Sequence, residues 1–253
     1  MRIAIAQGIA PGTDALDAAA AEAAERGARL LLTPELSLTG YAGGLRGAPP
    51  VAGAEEIAAR HRVALVIGGP EREGGAVFNT ARLIGPDGAV LASYRKTHLY
   101  GEQERAAFAP GAEPVVQADL DGLRIGLLIC YDVEFPEAVR THALAGTELL
   151  AVPTALMRPY EFVPRVLIPA RAYENGLHIA YANRCGPEGE HDFAGLSCLA
   201  GPDGEVRARA GAGPELLLAD VDPARNAAAR AATPYLADRR PDLYRTIARS
   251  TRT

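Results

Sequence analysis

Cys130 closes a strongly apolar run, Arg124-Ile-Gly-Leu-Leu-Ile-Cys, and is followed by Tyr-Asp-Val-Glu-Phe-Pro-Glu, with Pro136 placed to open a helix. A thiol at such a strand-to-helix turn is presented beyond the carboxyl end of the strand, close to backbone N–H groups that have no acceptor of their own. That suits a nucleophile, although a small buried core residue is the plainer reading of Cys130 taken alone. Glu35 follows a second apolar strand, in Leu30-Leu-Leu-Thr-Pro-Glu-Leu, where polar loop text begins. Leu36 and Leu38 flank it, and partial desolvation would lift its pKa towards the range useful to a general base. Lys96 follows a third strand, Ala89 to Ser93, within Tyr94-Arg-Lys-Thr-His-Leu-Tyr-Gly. Three strand ends thus offer a carboxylate, an ammonium and a thiol. The set is suited to acyl transfer: the carboxylate takes the thiol proton, sulfur attacks a carbonyl, and the ammonium with a backbone N–H holds the oxyanion. Glu104, eight residues after Lys96, is placed to orient that lysine or the leaving amine, or else belongs to a charged surface helix, Gly-Glu-Gln-Glu-Arg.

Lys96 is unusual in a second way. Lysine and arginine together number 26, and Lys96 is the single lysine among them. A chain that writes arginine wherever a positive charge suffices has kept a compact ammonium at one place, which is what a reaction site would require. The net charge of -5 does not favour a phosphate backbone or an anionic membrane as partner, so a small molecule is expected and nucleic acid is not. No apolar stretch approaches the roughly 20 residues of a membrane helix, and MRIAIAQG reads as a strand without a signal peptide's cleavage region, so a cytoplasmic location is expected. Cys130, Cys185 and Cys198 lack metal-ligand spacing, and His61, His98, His142, His178 and His191 are scattered, so no metal and no cofactor is expected. A redox or sensor role would instead pair Cys130 with Cys185 or Cys198.

The elements that must position these groups alternate between strand and helix. Residues 1 to 6 alternate as a strand, Thr13 offers an N-cap for an Ala-rich helix, and Gly27 closes it. A helix over 52 to 61, strands Val63 to Gly69 and Leu123 to Cys130, a helix after Pro136 and a strand Leu149 to Val152 follow. This order predicts a layered α/β domain spanning the whole chain of 253 residues. Ile84-Gly-Pro-Asp-Gly88 and Ala200-Gly-Pro-Asp-Gly204 have matching hairpin chemistry, half a chain apart, which points to two similar sheet halves. Pro169 should kink or shorten a helix between Phe162 and Tyr173. The Arg-rich tail, 222 to 253, is expected to leave the body and pack at a subunit interface.

With these residues in place, the chain resembles the nitrilase (carbon-nitrogen hydrolase) superfamily over essentially its whole length. The blocks that carry the likeness are Thr-Pro-Glu35, Arg-Lys96-Thr-His-Leu-Tyr-Gly and Leu-Ile-Cys130-Tyr-Asp-Val-Glu-Phe-Pro-Glu, in the family's order. The resemblance implies Cys130 as nucleophile, Glu35 as general base, Lys96 as stabiliser of the tetrahedral intermediate, Glu104 as a fourth member, and the Tyr131 N–H in the oxyanion hole. It also implies a four-layer αββα sandwich and a homodimer that extends into a higher assembly through its helices. Within the superfamily the text is nearest to short aliphatic amidases such as 5-aminopentanamidase. Leu156 and Pro169 depart from that pattern in the segment expected to shape the pocket. Glu134 or Glu161 could hold a substrate amine. A carbamoylase, a true nitrilase and a catalytically silent interaction module remain as alternatives.

Overall fold

The computed structural model describes residues 1–246, so 247–253 of the expected tail lie outside the described residues. Two six-stranded sheets dominate. The first contains β1 (Arg2–Gln7), β2 (Leu30–Leu32), β3 (Ala64–Glu73), β4 (Ala76–Ile84), β5 (Val90–Arg95) and, from the far end of the chain, β14 (Glu215–Asp220). The second contains β6 (Gln117–Leu120), β7 (Leu123–Leu127), β8 (Leu149–Pro153), β9 (His178–Ala182), β12 (Cys198–Ala200) and β13 (Val206–Arg209). A separate hairpin pairs β10 (Cys185–Glu188) with β11 (His191–Ala194).

The two sheets repeat one plan. Parallel β1, β2 and β3 are followed by antiparallel β4 and β5, with β14 flanking β1. Parallel β7, β8 and β9 are followed by antiparallel β12 and β13, with β6 flanking β7. The two Gly-Pro-Asp-Gly turns occupy equivalent places, β4 to β5 and β12 to β13, and Gly88 (φ 86°) and Gly204 (φ 81°) supply the left-handed residue each needs.

The layers follow from which faces are apolar. Ile3, Ile5, Leu30, Leu32, Val66 and Leu83 of the first sheet share a buried cluster with Ile125, Leu127, Leu149 and Ala151 of the second. The alternate residues Ala4, Leu31, Leu65 and Ile67 face outward against α1 (Thr13–Glu25), through Leu16, Ala20 and Ala23. They are joined there by α3 (Ala54–His61), introduced along the chain after the short α2 (Tyr41–Leu45). On the opposite side α5 (Pro136–Leu144) and α6 (Ile168–Asn175), which come after α4 (Gly101–Ala107), cover the second sheet with Val139, Ala143, Ile168 and Ala172. Helices outside and two sheets inside make the expected αββα sandwich. Among the described residues no helix is long and apolar enough to cross a membrane.

Two local expectations change, and that for Pro169 holds. Thr13 is the first helical residue, not the cap, which is Gly12 at φ 106° without a side-chain bond. The strand before the thiol ends at Leu127, and Cys130 opens a 3-10 turn, Cys130–Glu134. Pro169 sits at the start of α6, just after a π-type turn, Val163–Leu167, so the helix is divided there as Pro demands. The tail begins on its own body: α7 (Pro223–Ala232) is capped by Asp222, Asn226 donates to the Glu148 carbonyl at 2.8 Å, and Arg230 donates to the Gly176 and Thr147 carbonyls. α8 (Tyr235–Asp238) then sets Tyr235 edge-on to Tyr173.

His142 and His178 are fully buried, and burial pushes each down to about 4. Asp132 near His142, and Asp203 with Arg207 and Arg225 near His178, act only as smaller influences. A depressed histidine binds fewer protons folded than unfolded, so its contribution is complete above about pH 6.5 and is lost as pH falls towards 4. The loss is at most about 3 kcal/mol for each residue. Melting temperatures between pH 7 and 4 should therefore fall less steeply for His178→Gln than for the wild type. Identical slopes would show that His178 does not contribute.

Candidate active site

The four expected residues converge at one end of the sandwich. Glu35 lies in the loop after β2, Lys96 directly after β5, Glu104 in α4 and Cys130 beyond β7, so both sheets contribute. Lys96 has no exposed surface, and its Nζ donates to Glu35 Oε1 at 2.7 Å and to Glu104 Oε1 at 2.8 Å. Glu104 also accepts from Tyr41 Oη at 2.9 Å and, through Oε2, from the Tyr100 N–H at 2.8 Å. Asn79 of β4 donates to Glu35 Oε1 at 2.6 Å. Glu35 Oε2 is buried and has no partner among the described residues.

The backbone is shaped to allow this. Glu35 approaches β3 so closely that a Cβ on Gly68 would lie 2.6 Å from the Leu36 nitrogen, so only glycine fits there. Lys96 is pinned by its own main chain, N–H to the Asn79 carbonyl and carbonyl to the Gly111 N–H, both at 2.8 Å. A Cβ on Gly111 would collide with the Arg95 carbonyl oxygen, which accounts for the Phe108-Ala-Pro-Gly text. Cys130 has φ 48°, a left-handed conformation that a side-chain-bearing residue holds only under strain. The Tyr131 N–H falls in the first turn of the 3-10 segment, where no intrahelical acceptor exists.

The electrostatics suit proton transfer. Burial, followed by the Glu35 charge, holds the Cys130 thiol well above its ordinary value, against Lys96 and a backbone hydrogen bond from Ala155. Burial also raises Glu35, with the Lys96 charge opposing. Burial alone would lower Lys96, but Glu35 and then Glu104 reverse this and keep its ammonium protonated. The resting set is therefore a neutral thiol beside a carboxyl group with one free oxygen and a fixed cation.

A pocket of about 330 Å³ opens onto Cys130. Tyr41, Tyr100, Tyr131 and Tyr160 form much of its wall, with Ala155, Leu156 and Met157, while Glu104 and Glu134 bring carboxylates. Leu156 thus lines the pocket; Pro169 does not, because it stands in the outer helix layer. Glu161 is ion-paired to Arg158 at 2.8 Å and is not part of the lining. Asn183 clamps the wall, accepting from the Leu156 N–H at 2.7 Å and donating to the Leu156 and Gly195 carbonyls. All three cysteines are free thiols.

Residues 3–231 match the carbon-nitrogen hydrolase family. The chain belongs to that family. This carbon-nitrogen hydrolase is 43% identical over 227 residues to a Pseudomonas protegens protein named hydrolase in the pqqF 5' region, covering 86% of this chain and 80% of that one. It is 38% identical to an (R)-stereoselective amidase of a Pseudomonas species, with 83% and 79% covered. A crystal structure of an amidase from Nesterenkonia sp. superposes with a TM-score of 0.85 at 42% identity, covering 98% of this hydrolase and 96% of that chain. One variant of that Nesterenkonia amidase shows acrylamide added to its active-site cysteine.

Asn79, Tyr41, Asp132 and Asn183 are parts of the hydrolase site that no local sequence signal marked. Asn79 and Tyr41 are ordinary residues of a strand and a short helix; only the pairing of β4 with β3 and the seating of α2 on α4 bring them to Glu35 and Glu104. Asp132 lies inside the Cys130 block, but nothing in the text tells what it or Asn183 binds.

Proposed function

We propose that this amidase of the nitrilase superfamily hydrolyses short, unbranched amides, ω-amino amides foremost, to carboxylate and ammonia through a Cys130 thioester. The observation that carries the reading is the unpartnered Glu35 Oε2 in a buried cluster whose other carboxylate oxygens all hold donors. That free oxygen takes the thiol proton as sulfur attacks the amide carbon. Lys96 Nζ and the Tyr131 N–H hold the oxyanion, Glu35 returns the proton to the departing nitrogen, and ammonia leaves. Water then attacks the thioester, giving its proton to Glu35, and the thiol is regenerated. Glu104 keeps Lys96 aimed and charged.

Substrate size and charge follow from the pocket. Its 330 Å³ is at the small end of ligand pockets, roughly 300–1,000 Å³. Burial raises the Glu134 carboxyl, with Lys96 and Arg171 opposing, and no hydrogen bond stabilises it among the described residues. A substrate ammonium placed there meets a carboxylate and aromatic faces together.

The test is ammonia release from aliphatic amides, ω-amino amides, N-carbamoyl amines and nitriles. Glu134→Gln should raise KM for ω-amino amides by roughly 10- to 100-fold, the value of a charged hydrogen bond, and leave neutral amides unchanged. Equal effects on both series would remove Glu134 from amine recognition. Release from N-carbamoyl amines or nitriles in preference to amides would overturn the substrate assignment.

A further inference from the structure

Lys96 and Cys130 are delivered by different sheets, and their separation must be fixed by something other than either strand. Asp132 lies two residues after Cys130 in the same 3-10 turn, wholly buried and outside the pocket lining. Its Oδ1 accepts from Thr97 Oγ1 at 2.9 Å, from the His98 N–H at 2.8 Å and from His98 Nδ1 at 2.8 Å. Its Oδ2 accepts from Tyr94 Oη at 2.9 Å and from the Ile129 N–H at 3.1 Å. Tyr94, Thr97 and His98 bracket Lys96 on both sides, and Ile129 immediately precedes Cys130. One carboxylate thus holds the lysine segment with both oxygens, Thr97 and His98 on Oδ1 and Tyr94 on Oδ2, and through Oδ2 also holds the left-handed turn that presents the thiol. The His98 ring is itself held, stacked on Phe135 with centroids 4.0 Å apart and planes 17° from parallel.

We infer that Asp132 is a positioning residue that sets the distance between the nucleophile and the ammonium stabilising its tetrahedral adduct. The inference rests on the reading that Lys96 and Cys130 act on the same carbonyl. Two features of the contact set require a carboxylate here. The donors include two backbone N–H groups, at His98 and Ile129, which cannot reverse direction as a hydroxyl can. An amide side chain has only one acceptor oxygen, so Asp132→Asn would turn an NH2 group towards either the His98 N–H, loosening the lysine segment, or the Ile129 N–H, loosening the thiol turn. Misplacement of a reacting group by about 1 Å is enough to cost on the order of 100-fold in rate.

The experiment compares wild type, Asp132→Asn and Thr97→Val on the best amide of the panel. Competent sites are counted by iodoacetamide labelling of Cys130, read by mass mapping so that Cys185 and Cys198 are excluded. Asp132→Asn should lower kcat per competent site about 100-fold with KM within about threefold. Thr97→Val removes one donor and neither backbone contact, so it should lower kcat less, with KM again unchanged; it keeps the test decisive if Asp132→Asn does not fold. A purely structural aspartate would reduce melting temperature and the number of competent sites, leaving kcat per site as in the wild type. That result, or an unchanged kcat in both variants, overturns the inference. Wild-type turnover is measured first, so failure of the underlying amidase reading appears as inactivity of the wild type itself.

Discussion

Cys130→Ala is expected to abolish amide turnover, by on the order of 10⁴-fold or more, while the protein still folds. A backbone hydrogen bond from Ala155 reaches the thiol, so its loss should cost about 1 kcal/mol, or a few degrees of melting temperature. Chemistry and strain are separable at this position. Alanine keeps the cost of φ 48°, whereas Cys130→Gly relieves about 1–2 kcal/mol of it. The glycine variant should therefore be as inactive as the alanine variant yet at least as stable. Ammonia release and thermal melting on the three proteins check this; measurable turnover by either variant would show that another group supplies the nucleophile.

Lys96 carries the second large effect. Replacing it with methionine preserves much of the side-chain volume but leaves Glu35 and Glu104 sharing a buried space without their cation. Breaking a buried pair from one side costs about 3–5 kcal/mol, which for a domain of this size corresponds to a fall of roughly 6–20 °C in melting temperature. Activity should fall by roughly 100- to 1,000-fold, the loss expected when an oxyanion donor is removed. Lys96→Arg is the sharper test. It keeps the charge, but a planar guanidinium cannot place one donor group between Glu35 Oε1 and Glu104 Oε1 at 2.7 and 2.8 Å in a site already filled. A Lys96→Arg enzyme that retained most of its kcat would show that a generic positive charge suffices.

How much of this was legible depended on whether a residue's task is local. Glu35, Lys96 and Cys130 could be read because each ends an apolar strand and changes the text to polar or turn residues, and the single lysine stood out against a background of arginine. The paired hairpin turns announced two like sheets because Pro-Asp-Gly chemistry is local as well. What could not be read depends on contacts across long separations. Asn79 reaches Glu35 over 44 positions, and Tyr41 reaches Glu104 over 63. Thr13 was mistaken for a cap because Gly12, with φ 106°, makes the entry turn by itself. The strand before Cys130 read too long, since Leu128 and Ile129 continue the apolar run after the ladder has ended.

β14 has a consequence for how the molecule comes into being. It pairs along the full length of β1, from Arg2 opposite Asp220 to Gln7 opposite Glu215. A ribosome releases β1 first, and some two hundred residues must emerge before its partner exists. Until then the buried residues Ile3 and Ile5 lie on an open sheet edge, the kind of surface that pairs with other chains. Glu35 and Lys96 would already be synthesised on that unfinished sheet, well before β14 closes it. A nascent chain halted before residue 215 should therefore be aggregation-prone and inactive although Glu35, Lys96, Glu104 and Cys130 are all present in it, which makes the arrival of β14 the event that switches the enzyme on.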